Sequence, residues 1–328
     1  MFIRFLRSSF VSQYVLIVFT ALILWLPSFI SPPEPATADL LSPGYVFLRP
    51  FFIHFPFLTV LLAFLLLLFQ AFLLNSILAN YQMIGRVSSI ASFVFVVVMS
   101  LSPEQTRMYP LLLALPLLLL AVAVMFRMYE SVDNELDIFN TAFLISLASM
   151  LFFPVAVMII WVYFSLFIMR ITKPRSWIIP IIGLFTPYLF LATYYFMQNQ
   201  LIAKSLVYSA VTKVISFQIA LPPIISLVTL GVLILIVFKS FSLSYSNIVD
   251  NNISIRKRKA IMNAMIFTGI FLLFFKSDNV MQRLLILLPI TVFMAFSYTF
   301  IKKYFWAQLF LFLLIGLAMV SNYLVLIK

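Results

Sequence analysis

A chain of 328 residues that is 65% hydrophobic and only 9% charged, with a mean hydropathy of +1.18, stands far from the soluble average of about 25% charged residues. Such a composition describes an all-α, polytopic transmembrane bundle, because a bilayer core about 30 Å thick demands apolar runs of roughly 17–25 residues. Zero cysteines exclude disulfides, thiolate metal sites and iron–sulfur clusters, and a single histidine, His54, excludes a multi-histidine metal site. No cofactor or metal is expected. The net charge of +12 lies in short loops between apolar runs, with no nucleic-acid motif beside it, so it reads as a determinant of orientation and no nucleic-acid partner is expected.

In chain order, Arg4 and Arg7 precede a first span near residues 13–30. The run from Tyr14 to Ile30 exceeds the roughly 7–15 residues of a signal-peptide core, so a retained helix is expected despite the Ala36-Thr37-Ala38 sequence that follows. Residues 29–50, with five prolines, Glu34, Asp39 and Arg49, form the first outward loop. Further spans are predicted near 51–79, 88–102, 109–126, 138–153, 154–170, 177–197, 218–239, 260–275, 284–301 and 306–326, eleven in all. The fifth and sixth come from one run of 32 residues, which as one helix would reach about 48 Å. Proline suits a first helical turn and breaks an interior, so the split is placed at Phe153-Pro154. With the N-terminus inside, this split leaves fourteen of the 21 basic residues on the cytoplasmic side, including Arg256, Lys257, Arg258 and Lys259. Without it both basic runs after residue 250 would be exported.

Few residues are equipped for chemistry. The acids Glu130, Asp133, Glu135 and Asp137 cluster before the fifth span, where a helix N-terminus favours negative charge. The outward side carries Glu34, Asp39 and Glu104 as candidate bases, with Arg49, Arg107 and Arg283 as candidate holders of phosphate. His54, at the outward edge of the second span, joins that phosphate-binding set. The four consecutive basic residues Arg256–Lys259 are candidates for anionic lipid headgroups. The spans hold neutral polar residues such as Gln70, Asn75 and Gln218 but essentially no charge, which disfavours ion-coupled transport. No phosphate-cradling glycine loop occurs.

The stretch from Asp137 to Phe196 carries an Asn-Thr-Ala-Phe start at Asn140, the break at Phe153-Pro154, Arg175-Ser176-Trp177, Gly183 and Pro187-Tyr188. In these features the chain resembles an uncharacterised family of polytopic inner-membrane proteins of Gram-negative bacteria. More distantly, residues 1–200 are similar to the helix-pair pattern of C-type membrane glycosyltransferases, which draw sugars from polyprenyl-phosphate carriers. That likeness implies a seven-helix front module followed by four helices over 201–328, and a catalytic acid in the first outward loop, at Glu34 or Asp39, supported by Glu104. The first loop is short for such enzymes, and the paired-acid motif is absent.

Two readings follow. In one, the protein is a non-catalytic subunit or scaffold of an envelope assembly in the bacterial inner membrane, with membrane lipids and a membrane-protein partner. In the other, it is a glycosyltransferase-like protein that binds or acts on a polyprenyl-phosphate-linked glycan. A transporter is a third class.

Overall fold

The computed structural model describes residues 2–7, 10–37, 42–84, 88–129, 134–202, 224–246, 253–272, 284–300 and 304–326. Among these residues the fold is all-α, without a strand. The helices are α1 Phe2–Leu6, α2 Val11–Ile30, α3 Pro43–His54, α4 Pro56–Asn80, α5 Ile90–Val98, α6 Pro110–Arg127 and α7 Glu135–Leu151. They continue as α8 Met158–Met169, α9 Pro174–Met197, α10 Ile224–Ser246, α11 Ile253–Leu272, α12 Leu287–Phe300 and α13 Tyr304–Tyr323. Proline opens α3, α4, α6 and α9, where its missing N–H costs no intrahelical bond and its fixed φ is already helical.

Among the described residues four helices, α2, α4, α6 and α9, are long and apolar enough to cross a membrane, against the eleven spans expected for the chain. The apolar stretches Phe153–Met169, Gly231–Phe241, Leu287–Thr299 and Gln308–Tyr323 are shorter. The third expected span contracts to α5, whose nine residues are all buried in protein and rise only about 13.5 Å. The second, expected from residue 51, instead begins at Pro56, because α3 occupies 43–54 and the backbone leaves the helical region at Phe55. Residues 218–223, 273–275 and 301, which belong to other expected spans, lie outside the described residues.

Hydrogen bonds fix the helix directions. Along α7 and α9, Glu135 pairs with Arg175, Ser146 donates to the Leu184 carbonyl and Ser149 Oγ meets the Tyr188 hydroxyl at 2.7 Å. Residue numbers rise together, so these two helices are parallel. Between them, α8 runs back: Tyr163 at its middle donates to the Trp177 carbonyl and stacks on the Trp177 ring near the start of α9. The chain therefore reverses through the 3-10 turn Phe153–Val157, the site of the expected break. Similarly α4 and α6 are parallel, with Gln70 donating to the Leu112 carbonyl and Tyr81 to that of Ala123.

These directions sort the termini into two ends. At one end Arg7 reaches the Tyr298 carbonyl, Arg127 pairs with Asp137, and Arg258 donates to the Tyr81 carbonyl. At the other, the proline-rich end, the Trp25 indole donates to Ser100, Ser28 to Thr106, and the Ser42 hydroxyl accepts from the Phe153 N–H. Asn322 on α13 donates to the carbonyls of both Leu24 and Ser100, joining the last helix to the first ones. Interhelical bonds from such neutral side chains hold helices together where apolar contact alone discriminates little from lipid. One apolar core takes side chains from both halves of the sequence, from Ile3 to Ala318.

Candidate functional site

The proline-rich end gathers several of the residues expected to carry chemistry. Its centre is Tyr45, a fully buried side chain in the first turn of α3. The Tyr45 hydroxyl donates to the Ala36 carbonyl at 2.9 Å and lies 3.5 Å from that of Met108, while the Ala36 N–H itself donates to Met108. The first loop is thus laced to the segment that leads into α6. Gly44 makes the approach possible, since a Cβ there would stand 3.1 Å from the Met150 carbonyl and 3.0 Å from Leu151 at the end of α7.

Arg49 lies one helical turn after Tyr45, on the same face of α3. Arg107 immediately precedes Met108, whose carbonyl stands over the phenol. Burial pushes the Tyr45 phenol up to about 12, and the charges of Arg49 and Arg107 pull against that rise. The two guanidinium groups therefore act on one buried position. Both are part-buried, and the Nε of each is buried without a hydrogen-bond partner among the described residues. Tyr109, two residues after Arg107, is wholly buried with its hydroxyl likewise without a partner among the described residues. Buried polar groups left without a partner are costly; Arg7 and Arg258 at the opposite end carry a buried Nε of the same kind.

The expected carboxylates are placed differently. Glu34 and Glu104 are exposed, with Glu104 on the short 3-10 turn Pro103–Gln105, capped by Ser102 and Gln105. Asp39 and Arg283 lie outside the described residues. His54 is exposed at the end of α3, its ring 4.7 Å from that of Phe55. Among the described residues no group of His, Asp or Glu side chains is placed to hold a metal ion.

At the opposite end the basic run divides between surface and core. Arg256 is exposed and Lys257 partly so, but Arg258 and Lys259 are only 2% and 3% exposed. Arg258 lies 4.8 Å from the Tyr81 ring centroid and 5.9 Å from that of Tyr129, and the Lys259 ammonium sits 3.8 Å over Phe296. These two cations are spent on aromatic faces and a carbonyl, which compensate their desolvation. They hold α11 against Tyr81 at the end of α4 and Phe296 on α12. Four successive charges cannot all point outward from a helix that is packed along one side. The acids Glu135 and Asp137 are likewise engaged, with Arg175 and Arg127, whereas Glu130 and Asp133 lie outside the described residues.

The Tyr45–Arg49 pairing had a signal in the sequence, the i, i+4 spacing on a proline-started segment. Tyr109 had none, since only the fold shows that its hydroxyl is sealed in. No family model, curated protein or solved structure matches the chain.

Proposed function

We propose that the protein is a non-catalytic integral subunit of a bacterial envelope assembly, of the kind that serves secretion, translocation or surface-polymer export. On this reading it sits in the inner membrane with its basic end in the cytoplasm. The helices shorter than a bilayer cross within the protein's own packing, as α5 does between α2, α4 and α12. The observation that supports the reading most is the exposure of Glu34 and Glu104, since a catalytic base works best where it is positioned and water is excluded. Partner contacts on this reading run through short loops and lipid-facing helices, because every described element belongs to the bundle or its rims.

The arginine pair beside Tyr45 favours a second reading, binding of a polyprenyl-phosphate-linked sugar by a glycosyltransferase-like scaffold. Extraction from the native host in a mild detergent, followed by mass spectrometry of everything retained, separates the two. A stoichiometric membrane-protein partner supports the subunit reading. A protein that emerges alone with a polyprenyl-phosphate sugar, lost in Asp39→Asn, would replace it with the second.

A further inference from the structure

We infer that α3 lies in the plane of the membrane surface at the proline-rich end, and that Arg49 and Arg107 there hold the phosphate of an anionic phospholipid. The inference rests on the reading of the chain as a membrane-embedded bundle and is independent of whether a partner protein binds.

The helix has two unlike faces. Tyr45 and Phe52 are buried against the bundle, with Leu48 half-buried beside them. The other face shows Val46, Phe47, Phe51 and Ile53 at 38%, 83%, 43% and 53% exposure. A short helix that turns large apolar side chains outward and carries a cation, Arg49, at its flank suits the boundary between headgroups and acyl chains.

What covers that face follows from its continuation. After Phe57, the exposed large side chains of α4 are Leu58, Leu62, Leu65 and Phe69, the four spaced i, i+4, i+7 and i+11 along one stripe. Because α4 is long and apolar enough to cross a membrane, the acyl chains cover this stripe. The exposed face of α3 joins it at the Phe55 corner, through Phe55 and Phe57, themselves 46% and 59% exposed. Thr59 pins the corner by donating to the Phe52 carbonyl at 2.9 Å. The aromatic rings Phe51, Phe55, His54, Phe29 and Phe57 meet around it, as side chains do at the level of lipid headgroups.

The arginines supply the polar half. Among the described residues their Nε donors are buried without a partner, and both ion pairs lie at the other end of the bundle. A phosphate oxygen accepts from a guanidinium in a planar, directional geometry. A lipid whose chains lie on the α3–α4 stripe would bring its phosphate to this height.

Two measurements test the inference on the full chain. Phe47→Trp is reconstituted into phosphatidylcholine vesicles carrying bromines either near the headgroup or near the acyl terminus, with the parent protein as background. The added fluorescence is expected to be quenched more by the shallow bromines. Quenching by aqueous iodide without bromolipid quenching would overturn the in-plane placement, as would an effect that appears only at high protein density, which signals a second copy on this face. In the second measurement, protein from vesicles of phosphatidylcholine and phosphatidylglycerol is examined by native mass spectrometry. Arg49→Gln with Arg107→Gln is expected to lower retained phosphatidylglycerol by about tenfold or more, the scale of losing charge-assisted hydrogen bonds. Arg256→Gln, an exposed cation at the other end, leaves retention unchanged. Equal retention in the double variant would overturn the phosphate site, and so would retention that first appears in Asp39→Asn, which would mean that the chain's own acid fills the place.

Discussion

Gly183 offers a test in which the same substitution has opposite signs at two sites. A Cβ at Gly183 would stand 2.9 Å from both the Ala142 Cβ and the Phe139 carbonyl oxygen, and 3.3 Å from the Phe143 nitrogen, so α9 meets the backbone of α7 there. At Gly231 on α10 nothing lies within 4 Å. Replacing glycine by alanine within a helix gains about 0.8–1 kcal/mol from propensity alone, while forcing a methyl into a packed contact costs typically ~1–3 kcal/mol. Gly231→Ala should therefore stabilise, and the gap between the two variants should equal the contact cost, about 1–3 kcal/mol. Unfolding titrations in mixed micelles of a mild detergent and sodium dodecyl sulfate, read by circular dichroism, compare the two directly. Ala142→Gly in the Gly183→Ala background should recover part of the loss, because the Phe139 carbonyl contact remains. A Gly183→Ala protein as stable as Gly231→Ala would refute the close parallel packing of α7 and α9, and with it the reversal through Phe153–Val157.

Two further perturbations probe the ends. Tyr45 has a folded pKa raised from 10.0 to about 12, so its stabilising contribution is complete below about pH 10 and is lost as the pH climbs through 12; Tyr45→Phe should flatten the alkaline fall in thermal stability over that window, measured between pH 8 and 12. Arg258 combines a charged hydrogen bond with two aromatic faces, so Arg258→Gln should cost about 2–4 kcal/mol. Arg256→Gln, one turn-edge away and exposed, should remain within about 0.5 kcal/mol of the parent in the same titration.

Some of this architecture was legible in the sequence because one residue type dictated it. Pro154 could not continue α7, and the helix ends at Leu151 before the 3-10 turn. Pro110 and Pro174 likewise open their helices. Hydropathy alone misjudged other segments. It marks apolar surroundings and cannot tell protein from lipid, so α5, short and buried on every side, read like a full-length span facing lipid. Phe51 to His54 read as the start of α4 because aromatic residues on an interfacial helix have the same hydropathy as those in a span.

At the candidate site, Arg49 and Arg107 were visible as cations on successive outward loops. That they act on one phenol depends on the Ala36–Met108 contact, which pairs residues 72 positions apart and leaves no local trace. For Arg258 and Lys259 the burial was what the sequence hid. Their neighbours in sequence suggest a solvated patch, and only the tertiary position of Tyr81, Tyr129 and Phe296 turns them inward.

The absence of cysteine from the chain makes its placement in the membrane directly measurable. Single cysteines at Glu34→Cys and Glu104→Cys, on the proline-rich end, and at Arg256→Cys, on the basic end, can each be exposed to a membrane-impermeant maleimide in intact bacterial cells. The first two should label at once, and the third only after the membrane is opened. Labelling of all three in intact cells, or of Arg256→Cys alone, would contradict a membrane-embedded bundle with its basic end in the cytoplasm.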